Sequence, residues 1–313
     1  MDRLSYTGRR LLQMIPVAVG ATIIVFFMVH LIPGDPARTM LGVHATDQAV
    51  AQLHKEWGLD KPLPQQYVSF MGRLAHGDLG QSLFFRVPTR QLVIERLPTT
   101  LWLLGYGVAL AIVITLPLAT LAAVRKDRAA DHLVRAVPLV GLGMPSFWVG
   151  IMLILLLALR VRLFPVSGYG TGVAGHLWSM FLPALTIAIS LAPILIRSLR
   201  ASLLNVLESD YVTTARSKGL PERRVLVRHA MRNAVISTVT VLGINVGYLV
   251  GGTVVVEKVF ALPGLGALLI DAILERDFPV VQGVTLLFGV LVVLVFLVTD
   301  LVYSFLDPRV RFD

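Results

Sequence analysis

Few side chains could act as nucleophiles, acids or bases, and they lie far apart in the sequence. Ser146 and Ser190 are the mid-span candidates for a nucleophile within the long apolar segments, and His30 lies near the end of the first such segment. An intramembrane protease needs a serine with a base within reach, or a pair of aspartates. Because neither arrangement is indicated, we predict that the chain is not an enzyme.

The sequence offers no obvious means of hydrolysing ATP. A phosphate-binding P-loop requires Gly-Lys-Ser or Gly-Lys-Thr, and neither tripeptide occurs. An ion-coupled secondary transporter is the alternative, since such proteins contain broken helices and rare intramembrane charges. Glu257 and Asp300 both fall near predicted helix ends, where capping or snorkelling is favoured over a proton relay. This alternative predicts transport by the chain alone.

Metal and cofactor chemistry is not indicated either. The chain has no cysteine, and its seven histidines show no short ligand spacing. Its nine methionines are more typical of packing than of a soft-metal path. We therefore predict that the chain binds no metal and no cofactor.

Composition identifies an all-α polytopic membrane protein. The chain is 56% hydrophobic and 15% charged, with a mean hydropathy of +0.76, whereas soluble domains carry about a quarter charged residues. Segments long enough to cross ~30 Å of hydrocarbon predict six transmembrane helices, at approximately 11–32, 99–124, 134–159, 177–196, 234–256 and 280–305. No small-x-small pattern for signal-peptide cleavage follows the first of these segments, so we expect that segment to remain as a membrane anchor.

Positive charge predicts the orientation. The N-terminal tail, the 125–135 and 197–232 loops and the C-terminal tail together hold 17 of the 28 lysines and arginines. By the positive-inside rule, both termini and the 197–232 loop are predicted to face the cytoplasm. The predicted location of the chain is the cell inner membrane. The charges sit in short juxtamembrane loops without interleaved aromatic residues, so anionic lipid explains them better than nucleic acid does.

The chain divides into four parts in this interpretation. Residues 1–33 form the tail and first helix, and 34–97 form a folded extracytoplasmic insertion. Residues 98–306 form a five-helix core that contains the cytoplasmic loop 197–233, and 307–313 form a cytoplasmic tail.

The 197–233 loop predicts a helical hairpin. Asp210 is a candidate N-cap of a short helix through Lys218, and Gly219 is a candidate left-handed residue that ends it, with Pro221 beyond. Four arginines then recur at helical spacing beside an apolar side, at 223, 224, 228 and 232, with Val225, Leu226, Val227 and Met231. From the residues alone, an interfacial helix and a protein-docking arm are nearly equal interpretations.

The third predicted span contains helix breakers around the segment 141–148, Gly-Leu-Gly-Met-Pro-Ser-Phe-Trp. Freed backbone groups inside a bilayer need partners in other helices or in a water-filled cavity. The candidate pathway-lining residues are therefore Met144, Ser146, Phe147 and Trp148. Close helix packing is the alternative and is slightly favoured.

Residues 210–233, Asp-Tyr-Val-Thr-Thr-Ala-Arg-Ser-Lys-Gly-Leu-Pro-Glu-Arg-Arg-Val-Leu-Val-Arg-His-Ala-Met-Arg-Asn, resemble the coupling loop of ABC-importer permeases of the dipeptide/oligopeptide/nickel family. Further segments agree in order: Leu31–Pro36, Gly77–Gly80, Gly143–Trp148, Pro165–Gly168, Pro263–Gly266 and Asp307–Arg311. The resemblance covers essentially the whole chain and is closest to the first permease type. One departure is that Thr213-Thr214-Ala215 stands where the general importer signature has Glu-Ala-Ala, so contacts of that glutamate cannot be transferred.

The resemblance implies a type I ABC importer permease fold and a permease subunit that imports peptides by alternating access. Nickel or glutathione are the alternative cargoes. Implied partners are a second homologous permease, two cytoplasmic ATPase subunits that use ATP and Mg, an extracytoplasmic substrate-binding protein, and membrane lipid. The implied ATPase-coupling residues are Asp210, Tyr211, Thr214, Ala215, Arg216, Lys218 and Gly219, of which Tyr211, Ala215 and Lys218 share one helix face. The segment 259–266 is expected either to help dock the binding protein, through Phe260, Pro263 and Gly264, or to form a re-entrant connection packed between helices.

Overall fold

The structure is a computed structural model that describes residues 12, 15–27, 38 and 45–306. The segment Leu31–Pro36 and the tail 307–313 lie outside the described residues. Within the described part every regular element is a helix, and one isolated antiparallel bridge joins Gln81 and Pro88. The predicted all-α class is confirmed.

Twelve helices follow one another in the described part: α1 Ile15–Phe27, α2 Asp47–Trp57, α3 Leu63–Ala75, α4 Thr89–Val124, α5 Ala129–Leu142, α6 Ser146–Arg160, α7 Gly172–Ser179, α8 Phe181–Leu207, α9 Asp210–Ser217, α10 Glu222–Val259, α11 Leu265–Leu274 and α12 Phe278–Leu306. Among the described residues, α4, α8, α10 and α12 are long and apolar enough to cross a membrane. These four coincide with four of the six predicted spans.

The long helices extend beyond the spans that hydropathy predicted. Helix α4 begins at Thr89, ten residues early, because Pro88 sets an extended backbone before it and Leu92 and Val93 pack against α11 and α12. Residues 89–97 thus belong to α4 rather than to the predicted insertion. Helix α8 continues past residue 196 to Leu207, since its buried face continues through Leu199 and Leu203 although charges appear on its other side.

The third predicted span, 134–159, is two helices rather than one. Helix α5 ends at Leu142, and α6 begins at Ser146 after Pro145, whose backbone is extended at φ −60° and ψ 141°. Neither helix reaches the ~20 residues that a perpendicular crossing needs. The last part of α6, Ile154–Arg160, is π-helical. The predicted helix breakers therefore separate two helices here.

Helices α4 and α8 form the centre of the bundle. Ala111 of α4 packs with Ala188, Leu191 and Leu195 of α8 in one buried cluster. A Cβ atom on Gly107 would lie 2.7 Å from Ile187, so the absence of a side chain lets the two backbones approach. Small residues serve this purpose in membrane helices, where packing replaces the hydrophobic driving force.

A buried carboxylate joins three helices at one end of the bundle. Glu257, fully buried near the end of α10, accepts a 2.6 Å hydrogen bond from Thr100 of α4 and a 3.0 Å bond from the backbone N–H of Ala267 in α11. The Thr100 hydroxyl in turn accepts from the backbone N–H of Leu265 at 2.9 Å. The carboxyl group of Glu257 thus lies at the N-terminus of α11 and accepts from a backbone N–H there. The predicted capping role of Glu257 is confirmed.

A second buried carboxylate holds the loop that precedes α4. Asp277, fully buried beside the first residue of α12, accepts hydrogen bonds from the hydroxyl of Ser82 and from the backbone N–H groups of Leu83 and Phe84. The hydroxyl of Ser82 also accepts from the N–H of Phe85 at 3.0 Å. The loop 82–85 is therefore fixed against the start of α12.

We predict that Gly264→Ala destabilises the protein by about 1–3 kcal/mol, as overpacking of a close-packed site does. A Cβ atom at this position would overlap the carboxylate of Glu257 and displace it from α11. The matched control is Gly251→Ala, because Gly251 is an exposed helical glycine of α10 with open space around its Cβ position. Thermal unfolding in detergent should show a lower Tm for Gly264→Ala only. Equal Tm values would contradict the assigned role of Glu257.

Candidate functional site

The hairpin of α9 and the start of α10 is the candidate functional site, and its first turn differs from the prediction. Ser209, not Asp210, occupies the N-cap position, with φ −77° and ψ 149°. Its hydroxyl donates a 2.5 Å hydrogen bond back to the carbonyl of Val206 instead of capping α9. Asp210 is the first helical residue, where its negative charge is favourable to the helix dipole.

The end of α9 confirms the predicted left-handed glycine. Gly219 has φ +75°. Its N–H donates to the carbonyl of Arg216 at 2.9 Å, and the N–H of Leu220 donates to the carbonyl of Ala215 at 3.4 Å. This pair of bonds is a Schellman motif, which closes a helix and turns the chain back.

The inner face of α9 packs against the hairpin's own second arm. Val212 and Ala215 are buried together with Val225 of α10. Partly buried neighbours complete this cluster: Val206, Leu207 and Leu220. The structure thus places Ala215 in an internal contact with its own chain, and we assign it to packing rather than to a partner surface. The side chain of alanine fits here because α9 lies close to α10.

The outer face of α9 is exposed, and two of its side chains form hydrogen bonds within the hairpin. The remaining predicted coupling residues are all exposed: Asp210, Tyr211, Thr214, Arg216, Lys218 and Gly219. Tyr211 is 44% exposed, and its hydroxyl accepts a 2.8 Å hydrogen bond from Asn233 across the hairpin. Arg216 donates through Nε to Glu222 at 2.7 Å. Their contact with a partner remains a prediction, and the structure leaves their surface accessible.

The second arm begins with a π-helical segment, Val225–Met231. The wider turns place Val225, Ala230 and Ala234 on the buried side, at spacings of five and four residues. Val227, predicted on the apolar inner side, is instead 62% exposed. Residues two apart point to opposite sides of both an α-helix and a π-helix, so the burial of Val225 places Val227 on the outer side. The four arginines of this arm are exposed, as predicted.

A buried ion pair lies beside the hairpin, and sequence reasoning missed it. Asp131 of α5 is fully buried and accepts two 2.6 Å hydrogen bonds from Nε and Nη2 of Arg200 in α8. The backbone N–H of Asp127 also donates to Asp131 at 3.0 Å. The hydrogen bonds from Arg200 are the main cause that lowers the pKa of Asp131. The sequence held one signal for this ion pair, which is that Asp131 is an acidic residue within a basic loop.

The other predicted sites are placed differently. Phe147 and Trp148 are exposed at the start of α6, while Met144 and Ser146 are half-buried, so pathway lining stays a prediction for them. In the segment 259–266, Pro263 is exposed, whereas Phe260 is 1% exposed and Gly264 is buried. Docking through Phe260 and Gly264 is therefore wrong. The segment is a connection packed between helices, held by apolar burial and by Glu257.

The outward face of α10 carries a stripe that the sequence analysis did not single out. Its members are exposed and follow three- and four-residue helical spacing: Ser237, Thr240, Ile244, Tyr248, Gly251 and Val255. We call these residues the α10 stripe. The hydroxyl of Ser237 donates to the carbonyl of Ala234 in its own helix at 3.3 Å. Polar groups facing lipid directly are costly, so the hydroxyl groups of Thr240 and Tyr248 favour contact with water or with another protein.

We predict that Arg200→Met destabilises the folded protein by roughly 3 kcal/mol, because it leaves the carboxylate of Asp131 buried without its partner. Asp131→Asn/Arg200→Met should recover part of this loss. The lowered pKa of Asp131 means that the pair stabilises the fold above the ordinary carboxyl pKa, about 3.9, and that this contribution is lost as pH falls through the lower folded-state pKa. Tm measured against pH should therefore fall more steeply under acid in the wild type than in Asp131→Asn.

The comparisons with known proteins agree with this geometry. Residues 115–312 match the family model described as binding-protein-dependent transport system inner membrane component, and residues 3–104 match the model of its N-terminal part. A putative peptide transport system permease protein of Brucella abortus (strain 2308) is 40% identical, over 97% of this chain and 98% of its own length. The dipeptide transport system permease protein of Escherichia coli (strain K12) is 38% identical, over 98% and 99%. The glutathione transport system permease protein of Pectobacterium atrosepticum is 37% identical, over 99% of both chains. With its four long apolar helices and its exposed hairpin, the chain belongs to the family of binding-protein-dependent transport system inner membrane components.

Proposed function

We propose that the chain is the membrane-spanning permease subunit of an ATP-driven importer. It forms the translocation pathway for peptides by alternating access, and separate subunits hydrolyse the ATP. The observation that carries this proposal is the α9 hairpin, whose outer face is exposed while its inner face is fixed to the bundle. Such a surface suits a partner that moves the bundle from outside the membrane.

The hairpin is built to transmit force rather than to flex. Val206 and Leu207 of α8 and Val225 of α10 pack on the inner face of α9, so displacement of α9 displaces both helices. The Schellman turn at Gly219 fixes the angle between α9 and α10. A packed core of this kind moves as a body between discrete arrangements.

The pathway itself is proposed to run along the α10 stripe. Thr240 and Tyr248 expose polar groups on a helix that crosses the membrane, and the same helix begins in the hairpin. In alternating access, a second homologous permease faces this stripe across a water-filled passage. Rotation of α10 with α9 then opens the passage to one side or the other.

The proposed assembly contains two permeases, two ATP-binding subunits that use Mg and ATP, and a substrate-binding protein. Both termini and the α9 hairpin face the cytoplasm, and the helices α2 and α3 lie outside the inner membrane. The positive charge of the hairpin and of the 125–135 loop supports this orientation. The chain itself binds no nucleotide in this proposal.

Peptides are the proposed cargo class, because two of the three relatives named above are peptide or dipeptide permeases. Glutathione, itself a small peptide, is the second candidate on the strength of the third relative. The family resemblance further implies that the binding protein carries most of the specificity. Copurification from the native membrane would supply that protein for a cargo screen. A chain that is recovered alone, and transports by itself, would contradict the proposal.

The pathway assignment predicts the reactivity of introduced cysteines, and the chain has none of its own. Tyr248→Cys should react with a water-soluble maleimide in the assembled transporter, because the thiolate forms only where water reaches it. Leu294→Cys is the control. Leu294 is 47% exposed on α12, and Gly247 packs beside Phe296, so the two positions lie at a similar depth. Equal labelling of both positions would contradict the assignment.

The coupling role predicts a specific defect for Gly219→Val. A β-branched residue at φ +75° costs about 2 kcal/mol, and no neighbour lies within 4 Å of the Cβ position, so the backbone alone is affected. We expect the assembled complex to keep its ATPase activity while peptide uptake per ATP falls severalfold. Both rates are measured in proteoliposomes.

The matched control is Gly77→Val, since Gly77 also has a positive φ, +71°, and open space around it. It carries the same backbone penalty outside the hairpin and should leave the ratio of uptake to hydrolysis unchanged. If Gly219→Val inserts normally and its uptake per ATP is unchanged, this result would contradict the coupling assignment.

A further inference from the structure

A cleft of about 680 Å³ lies between α3, the loop 78–86 and the start of α12. Four cationic residues line it, Lys55, Lys61, Arg73 and Arg86, and all four are exposed. Among the described residues of its lining, Asp78 is the one that is acidic, and its carboxylate already accepts the N–H of Gly80 at 2.9 Å. Within the described residues none of the four cations forms an ion pair. The cleft therefore has a surplus of positive charge.

The remaining walls of the cleft include apolar rings at the membrane boundary. Phe278 is the first residue of α12 and marks the level where this apolar helix begins. Phe70 of α3 packs near Phe26, with ring centroids 6.0 Å apart. Cationic and apolar groups thus share one cavity at the depth of lipid headgroups.

Arg86 is held in the cleft by a strained and clamped backbone. Its φ is +56°, in the left-handed region that costs a non-glycine residue about 1–3 kcal/mol. The N–H of Arg86 donates to the carbonyl of Ser82 at 3.1 Å, and the side chain of Gln81 donates to the carbonyl of Arg86 at 3.1 Å. Ser82 is in turn bound to Asp277. The fold thus fixes the backbone of this arginine instead of leaving it to a mobile loop.

We propose that this cleft binds the phosphodiester headgroup of an anionic phospholipid, with the first acyl carbons against the half-buried side chains of Phe70 and Leu83. Lysine and arginine suit a phosphate, and basic pockets beside transmembrane helices bind such headgroups. The volume lies within the range of small-molecule sites and exceeds what a free phosphate needs. The apolar rings at the same depth favour a lipid over an acidic segment of a protein, because a lipid alone supplies both chemistries there. The proposal holds whichever side of the membrane the cleft faces.

The test is native mass spectrometry of the delipidated transporter after addition of equal amounts of phosphatidylglycerol and phosphatidylcholine. We expect the wild type to retain phosphatidylglycerol in preference. In Lys61→Gln/Arg86→Gln the retained phosphatidylglycerol should fall about 25-fold, since each of the two juxtamembrane cations contributes about a factor of five. Lys61→Arg keeps the charge and should retain the lipid.

The control is Arg90→Gln, which removes one exposed cation of α4 that does not line the cleft. A comparable loss of lipid in Arg90→Gln would show general attraction to charge and would overturn the proposed site. Equal retention of the two lipids by the wild type would also overturn it. A further experiment measures the binding of two water-soluble compounds that lack acyl chains, glycerophosphoglycerol and inorganic phosphate. If either binds as tightly as the lipid, the apolar part of the proposal is wrong, whereas weaker binding supports it.

Discussion

The buried carboxylate of Glu257 is the interaction on which one whole end of the bundle depends. A carboxylate in an apolar interior is tolerated only when donors surround it, and Thr100 together with the N-terminus of α11 supplies them. The same contacts connect α4, α10 and α11, which are far apart in the sequence. The glycine at 264 is required because the carboxylate occupies the space that a side chain would take.

Helix α10 connects the Glu257 junction at one end of the bundle to the hairpin at the other. Its 38 residues span about 57 Å, from the hairpin turn at Glu222 to the carboxylate junction. At the hairpin end, α9 packs on it directly, and the Asp131–Arg200 pair ties the neighbouring helices α5 and α8. A displacement of α9 is therefore transmitted through the rigid helix α10 to the opposite side of the bundle. This is the physical basis for treating the hairpin as a coupling device.

The environment outside the bundle explains two further features. Polar groups on α10 favour a water-filled passage or a partner, and the surplus of exposed cations in the cleft beside α12 favours an anion. Both arise because lipid cannot satisfy polar groups, whereas headgroups and water can. Membership of the transport family agrees with these features. A permease requires a water-filled pathway, a rigid connection that transmits movement and a defined position in the membrane.

The sequence by itself determined the all-α class, the positions of the long apolar helices and the hairpin with its left-handed Gly219, because hydropathy and glycine conformation are local properties. It also identified the family, through motifs spread along the chain. It placed the ends of α4 and α8 wrongly, since burial of Leu92 or Leu199 by distant helices is not visible in local hydropathy. Only the tertiary structure turned Ala215 inward, exposed Val227 and buried Phe260, because packing between helices decides which side of each segment is buried. The side-chain partners of Asp131, Glu257 and Asp277 were likewise settled by tertiary structure, since Arg200, Thr100 and Ser82 lie 69 to 195 residues away from them.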